Sequence, residues 1–350
     1  MSPFTSHHEY PPFPEGVDTA PLVSISLAKL EKRDKDELTR LFEASRDLGF
    51  FYMDMVGSSL GEKIVQQAEN LQVLQKQFFQ FPKEEKDVYN AEKKTCFSYR
   101  VMETTFPDTD GRPKRNESYN IRKDDLAEDN QGFPVHPFIW KHRVQLLQYT
   151  RDCRRATDTI LECLEESLGL LAGTLTNLHR FEKRSGDHIR FTQAATIPYD
   201  EKRAKGGEHT DFGTLTVLFN WLGGLQIRMP TNGHWLCVKP VPGSAIVNLG
   251  DAMVIFTAGI LRSNIHRVVP PPGIQSELIR QSLVFFCRPE DDVIIKRLKG
   301  GLIDAQPVPD ASKCLPEIPS HEFITRRTMG DLKGVYTYEG GLEELEEYTI

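Results

Sequence analysis

The feature that most narrows the possible folds is a change of texture after Ser185. Before it, apolar residues recur at helical spacing. After it, short β-rich runs alternate with turn residues. The runs are HIRFTQAATI (188–197), GTLTVLF (213–219), LQIRM (225–229), HWLCV (234–238), SAIVNL (244–249), MVIFTA (253–258), NIHRVV (264–269) and RQSLVFF (280–286). Gly223-Gly224, Asn232-Gly233, Pro242-Gly243, Gly250-Asp251 and the stretch from Pro270 to Gly273 separate them. Strands recurring every 8–12 residues or so build a sandwich or barrel, whereas a doubly wound parallel sheet needs a helix between successive strands.

The region before Ser185 has a different grammar. Residues 1–20 are rich in Pro, Ser and His and read as an extended or disordered lead-in. LVSISL (22–27) alternates as a short strand. KDELTRLFEASRDLG (35–49) sets Leu38, Leu41, Phe42 and Leu48 on one helical face, with Gly49 as a stop, and FFYMDM (50–55) reads as a strand. A second helix is expected over about 59–80 through Leu60, Ile64, Ala68, Leu71, Leu74 and Phe78, ended by Pro82. The polar stretch 83–137, broken by Pro107, Gly111, Pro113, Gly132 and Pro134, reads as a long functional loop, a lid or a substrate wall. A long helix is expected over 138–178, with Leu161, Leu164, Leu168, Leu171, Leu175 and Leu178 on its core side. The tail starts with a helix, HEFITRRTM, and ends acidic.

Charge and cysteine usage exclude some functions. The net charge is −7, which attracts neither phosphate backbones nor anionic lipids. No nucleic-acid or membrane partner is therefore expected. The six cysteines, at 96, 153, 163, 237, 287 and 314, show no CxxC spacing. They read as buried or indifferent thiols of a reducing compartment. The segment MSPFTSHHEYPPFPEG has no apolar signal region, and no run approaches the roughly 18 apolar residues of a membrane span. The expected location is cytoplasmic.

The chemistry concentrates in three places. His209 and Asp211 form an H-x-D pair, and in extended backbone residues i and i+2 share a face. His266 lies in a later strand. Two imidazoles and one carboxylate make the facial triad of non-haem iron(II) sites, which leaves metal positions open for small molecules. Taken singly, H-x-D is also a turn or capping pair, His266 a satisfied strand histidine, and zinc also suits this donor set. Arg280 and Ser282 share one strand face beside an apolar run. A guanidinium there is costly unless it meets an anion. Arg binds carboxylates through two bonds, and a neighbouring hydroxyl adds another. An internal Arg–Asp or Arg–Glu pair is the plainer alternative.

HTDFGTLTVLF, GHWLCVKPVPGSAIVNLGDAM, TAGILRSNIHRVVPPPG and RQSLVFFCRP resemble the iron(II)/2-oxoglutarate-dependent dioxygenases, specifically the isopenicillin N synthase-like branch. PLVSISL and DLGFFYM resemble that branch's leading domain. The likeness runs from about Pro21 to Arg327 with a variable middle. It implies a mixed α/β (α+β) fold with a double-stranded β-helix (jelly roll) core flanked by helices. It implies the lead-in at 1–20, an N-terminal dioxygenase-type domain with a variable substrate loop at 21–140, a supporting helix at 141–180, the catalytic core at 181–300, and a C-terminal helix and tail at 301–350. It carries Fe(II) ligation to His209, Asp211 and His266, and the 2-oxoglutarate C5 carboxylate to Arg280 and Ser282. Dioxygen is the second co-substrate, and 2-oxoglutarate leaves as succinate and carbon dioxide.

One departure concerns co-substrate binding. The family often has Asn-x-Tyr 17 residues before the first iron-binding His, and here those positions hold Thr192 and Ala194. Thr192 is retained as a co-substrate candidate, and Tyr199 falls beyond that strand. By the family pattern Arg190, Phe286 and Arg288 face the substrate, and NESYNI (116–121) adds Tyr119. Two arginines near one cavity imply a small-molecule substrate with a carboxylate or another electron-rich oxygen. His179, His188 and His234 read as structural or surface residues. The expected reaction oxidises a C–H bond by hydroxylation, desaturation or ring rearrangement, in secondary-metabolite biosynthesis. The alternatives are an isopenicillin N synthase-type oxidase that does not use 2-oxoglutarate, and a catalytically inactive jelly-roll binding protein.

Overall fold

A computed structural model describes residues 10–90, 97–107, 111, 113–127, 133–196, 207–308 and 316–330. The first nine residues of the lead-in, Cys96, Gly132, Ile197, Tyr199, Cys314 and the tail beyond Gly330 lie outside the described residues.

Strand β1 (Ser24–Ser26) runs parallel to β2 (Phe50–Asp54), and helix α1 (Lys35–Asp47) connects them. Asp34 caps that helix by accepting from the Glu37 N–H at 3.0 Å, and Asp36 and Glu37 sit where the helix dipole favours negative charge. It ends at Gly49, whose φ is +71°. A side chain there would collide with the Arg262 carbonyl oxygen. Helix α2 (Ser59–Phe79) is capped by the Ser58 hydroxyl, which accepts from Gly61 N at 3.0 Å.

The expected loop over 83–137 instead holds β3 (Ser98–Pro107) and β4 (Pro113–Arg122), an antiparallel pair. The alternation is present, but it is polar on one face. Tyr119 and Ile121 are buried toward the helices, while Ser118 and Asn120 take the other side. The expected helix over 138–178 is shorter. Helix α3 (Arg143–Leu168) stops at Gly169, which takes the left-handed conformation. The Glu165 carboxylate then accepts from the backbone N–H groups of Gly173, Leu175 and Thr176, which turns Leu171 and Leu175 off the helix axis.

The further strands of the core are β5 (His188–Ala194), β6 (Leu215–Asn220), β7 (Leu225–Arg228), β8 (Trp235–Cys237), β9 (Ser244–Leu249), β10 (His266–Val268) and β11 (Arg280–Cys287). MVIFTA is not a strand. Asp251–Phe256 form helix α4, because a short apolar run carries no period and Gly250 O accepts from the Met253 and Val254 N–H groups. HEFITRRTM lies within helix α5 (Ser320–Met329).

Two sheets result. The large one has the order β1-β2-β9-β6-β11-β5-β4-β3, and the small one β10-β7-β8. Side-chain alternation gives the large sheet two faces. Phe51, Met53, Val217, Val247, Phe191 and Phe285 pack against the helices in the larger core. Phe50, Leu218, Ile246, Val284 and Phe286 point the opposite way and meet Leu225, Ile227 and Val238 of the small sheet. This is a jelly-roll core flanked by helices, in a mixed α/β fold. Among the described residues, no helix is long and apolar enough to cross a membrane.

Gly49→Ala should cost about 1–3 kcal/mol, since it forces both a positive φ and a backbone clash. Urea unfolding at equilibrium measures this, and an unchanged midpoint would show that the α1–β2 corner tolerates a side chain.

Candidate metal centre

His209 and Asp211 lie on the segment entering β6, and His266 opens β10. The two histidines face each other across a one-residue antiparallel bridge. His209 N donates to His266 O at 3.1 Å, and His266 N donates to His209 O at 2.9 Å. That bridge holds the imidazole centroids 4.3 Å apart. Asp211 Oδ1 lies 4.0 Å from His209 Nε2 and 3.9 Å from His266 Nε2. The three candidate donor atoms are within 4.8 Å of one another.

The hydrogen bonds aim these donors at a common point. His209 Nδ1 lies 2.9 Å from Gly207 O, and His266 Nδ1 lies 3.1 Å from Asn264 O. A carbonyl only accepts, so each Nδ1 carries the proton and each Nε2 presents its lone pair. Asp211 Oδ2 accepts from Thr216 Oγ1 at 2.6 Å and from Asn248 Nδ2 at 2.7 Å, leaving Oδ1 toward the imidazoles. Burial alone would raise the Asp211 carboxyl. The two imidazoles and these two donors outweigh it and bring it down to about 2. Burial and the neighbouring His266 lower His209 to about 4. Two imidazole Nε2 atoms and a carboxylate oxygen directed at one point are a donor set that would suit a divalent iron.

Arg280, at the start of β11, is 2% exposed. Its Nε donates to Gly223 O at 2.8 Å. No carboxylate pairs with it among the described residues, and burial alone lowers it to about 10. Ser282 shares its face and lies opposite Thr192 on β5 and Asn220 on β6. An anion accepted there would relieve a buried, uncompensated charge.

The substrate candidates divide. Arg190 and Phe286 are on the inner face with Thr192 and Ser282. Arg190 Nε donates to Asn120 Oδ1 at 2.7 Å, and its guanidinium lies 4.7 Å from the Phe286 ring centroid. Phe286 also stacks on His188 at 4.5 Å. Arg288 is buried past the end of β11, with its guanidinium 5.6 Å from the Phe97 ring and 5.8 Å from that of Phe286. Tyr119 is a correction. It points to the helix side, stacks on Phe78 at 5.0 Å, and its hydroxyl accepts from His136 N at 3.1 Å. One step along a strand reverses the face, and Asn120, like Ser118, faces inward and lies opposite Arg190.

Sequence reading passed over Thr216, Asn248 and Asn120. The available signal was a polar side chain at an inward position of an otherwise apolar strand, as in LTVLFN and SAIVNL. His179 is buried and bonded to Thr214 Oγ1 at 2.7 Å and Leu175 O at 2.8 Å, a structural role.

Residues 187–289 match the profile of the 2OG-Fe(II) oxygenase superfamily, and residues 20–141 match that of the non-haem dioxygenase in morphine synthesis N-terminal region. A 2-oxoglutarate-dependent dioxygenase of Aspergillus fumigatus is 32% identical over 312 residues, covering 82% of this chain and 80% of the relative. The 2-oxoglutarate-dependent dioxygenase gloE of Glarea lozoyensis is 30% identical over 296 residues, covering 83% and 86%. JOX2, solved in complex with 2OG, Fe and JA, is similar in structure with a TM-score of 0.61 at 25% identity, covering 82% of this chain and 80% of that one. Neurospora crassa T7H, solved in complex with alpha-KG and thymine, shares the fold with a TM-score of 0.67 at 20% identity, covering 89% and 97%.

In the metal-free protein, Thr216→Val with Asn248→Leu should raise the Asp211 pKa from about 2 toward the ordinary carboxylate range. A depressed carboxyl stabilises the fold above its unfolded pKa, near 4, and that stability is lost as pH falls toward 2. The double variant should therefore lose part of this contribution at neutral pH. Carboxyl 13C NMR titration reads the pKa, and an unmoved value would contradict the role given to these two donors.

Proposed function

The chain belongs to the iron(II)/2-oxoglutarate-dependent dioxygenases, and from that premise we propose a role for each residue of the site. His209, Asp211 and His266 hold the iron. Arg280 and Ser282 receive the C5 carboxylate of 2-oxoglutarate, with the Thr192 hydroxyl beside them. The observation that carries this reading is the buried Arg280 guanidinium without a carboxylate partner among the described residues, on the inner face of the sheet. The similarity to relatives named as 2-oxoglutarate-dependent dioxygenases favours use of 2-oxoglutarate over the oxidase alternative.

Members of the family use iron(II), 2-oxoglutarate and dioxygen. When bound, the iron with its two co-substrates supplies the oxidising power to break a C–H bond of a small molecule, while 2-oxoglutarate leaves as succinate and carbon dioxide. The chain's own residues prepare that reaction. The Gly207 and Asn264 carbonyls fix the tautomers of the two histidines. Thr216 and Asn248 help the two imidazoles to hold the Asp211 carboxylate ionised and fix its orientation. Phe50 meets the His266 ring edge-on at 5.4 Å and, with Leu218, Val284 and Phe286, excludes water from the iron-facing side.

The substrate is a small molecule carrying a carboxylate or other electron-rich oxygen. Arg190 binds that group, held by Asn120 and the Phe286 ring. Phe286 offers a flat apolar surface to the rest of the molecule, and Arg288 contributes positive charge behind it. Hydroxylation, desaturation and ring rearrangement all fit the site. Secondary-metabolite biosynthesis is the setting that the resemblance implies. Cytoplasmic residence goes with the charge and cysteine usage of the chain.

Aerobic incubation with iron(II) and 2-oxoglutarate should release succinate, and omission of either should stop it. Absence of succinate across a broad panel of carboxylate-bearing substrates would remove the enzyme reading. Arg280→Met should raise the KM for 2-oxoglutarate at least about tenfold, the value of a charge-assisted bond. Arg190→Ala should raise the substrate KM while succinate formation without substrate persists; an unchanged KM would show that the substrate anion binds elsewhere.

A further inference from the structure

Behind the metal centre lies a buried ion pair that no step of the chemistry uses. Asp251, the first residue of α4, and Arg327, near the end of α5, are both 0% exposed and meet at 2.7 Å. The carboxylate touches both ligand-bearing segments. Its Oδ2 accepts from the hydroxyl of Thr210, the residue between His209 and Asp211, at 3.0 Å. Its Oδ1 accepts from the hydroxyl of Ser263, three residues before His266, at 2.6 Å. Its backbone N–H donates to Asp211 O at 2.8 Å. Arg327 reaches the same place from the C-terminal helix. It donates to Thr210 Oγ1 at 3.1 Å and covers the Phe212 ring at 4.5 Å.

A buried ion pair is a poor stabiliser, because desolvation offsets its attraction, and an apolar pair of similar volume often serves the fold as well. An apolar pair cannot accept the Thr210 and Ser263 hydroxyl bonds. These bonds fix the segments that carry all three metal donors, and partners at that remove set the orientation of ligands and the affinity for the ion.

We infer that Asp251 and Arg327 are positioning residues of the metal centre, through which the docked C-terminal helix holds the H-x-D segment and the segment before His266 in ligating register. The inference rests on His209, Asp211 and His266 being the metal donors. It makes metal affinity depend on α5, which contributes no ligand.

The test uses the full chain and cobalt(II) as the probe, titrated by its visible absorption well below the melting temperature of each variant. Wild type should bind, and His209→Ala should not; cobalt binding unaffected by His209→Ala would overturn the donor assignment itself. Arg327→Met should weaken cobalt binding by about 10–100-fold, and Arg327→Lys should restore most of it. Asp251→Leu with Arg327→Met should melt close to wild type yet stay weak in cobalt binding, a separation that a merely structural role would not produce. If the Arg327 variants do not fold, Ser263→Ala removes one bond to Asp251, and a several-fold loss of affinity is expected. Wild-type cobalt affinity in folded Arg327→Met, in the folded double variant or in Ser263→Ala overturns the inference.

Discussion

A carboxylate removed from water between two imidazoles is the interaction on which the rest of the site depends. Left to burial alone, Asp211 would take a proton and lose its charge. The two imidazoles prevent that together with Thr216 and Asn248, and these last two can help because β6 and β9 pair with them directly opposite. The register of the large sheet is therefore also the electrostatics of the centre. A slip of one residue would turn both donors into the helix-packed core.

The same rule organises the whole inner face. Arg280, Ser282, Val284 and Phe286 follow each other at every second position of β11, and Thr192 and Arg190 face Ser282 and Val284 from β5. One edge of this face presents the buried Arg280 cation, which has no carboxylate partner among the described residues. The other presents an arginine against an aromatic ring. Between them the two histidines and the aspartate converge. The outer face carries none of this chemistry, since its alternate residues are given to the helices.

Much of this was legible in the sequence because the relevant signals are local. His209 and Asp211 sit at same-face spacing, and the jelly-roll strands announce themselves through β-branched runs between glycine and proline turns. What was not legible depended on partners distant in the chain. MVIFTA has strand composition, yet the Gly250 carbonyl gathers it into a helix. The hairpin of β3 and β4 hid behind polar inward positions, which left Tyr119 on the wrong side of its strand and Asn120 unnoticed. The end of α3 was overrun because leucines continue at helical spacing past Gly169. The Asp251–Arg327 contact joins residues far apart in the sequence, and no spacing rule announces it.

The iron centre can be read from the visible absorption of the iron(II)-loaded protein as 2-oxoglutarate is added without oxygen. Chelation of an iron centre by the keto acid gives a weak metal-to-ligand charge-transfer band. Wild type should show that band, and Asp211→Ala, whose fold should remain largely intact, should lose it. No band in wild type, or an equal band in Asp211→Ala, would contradict the assignment of the iron site.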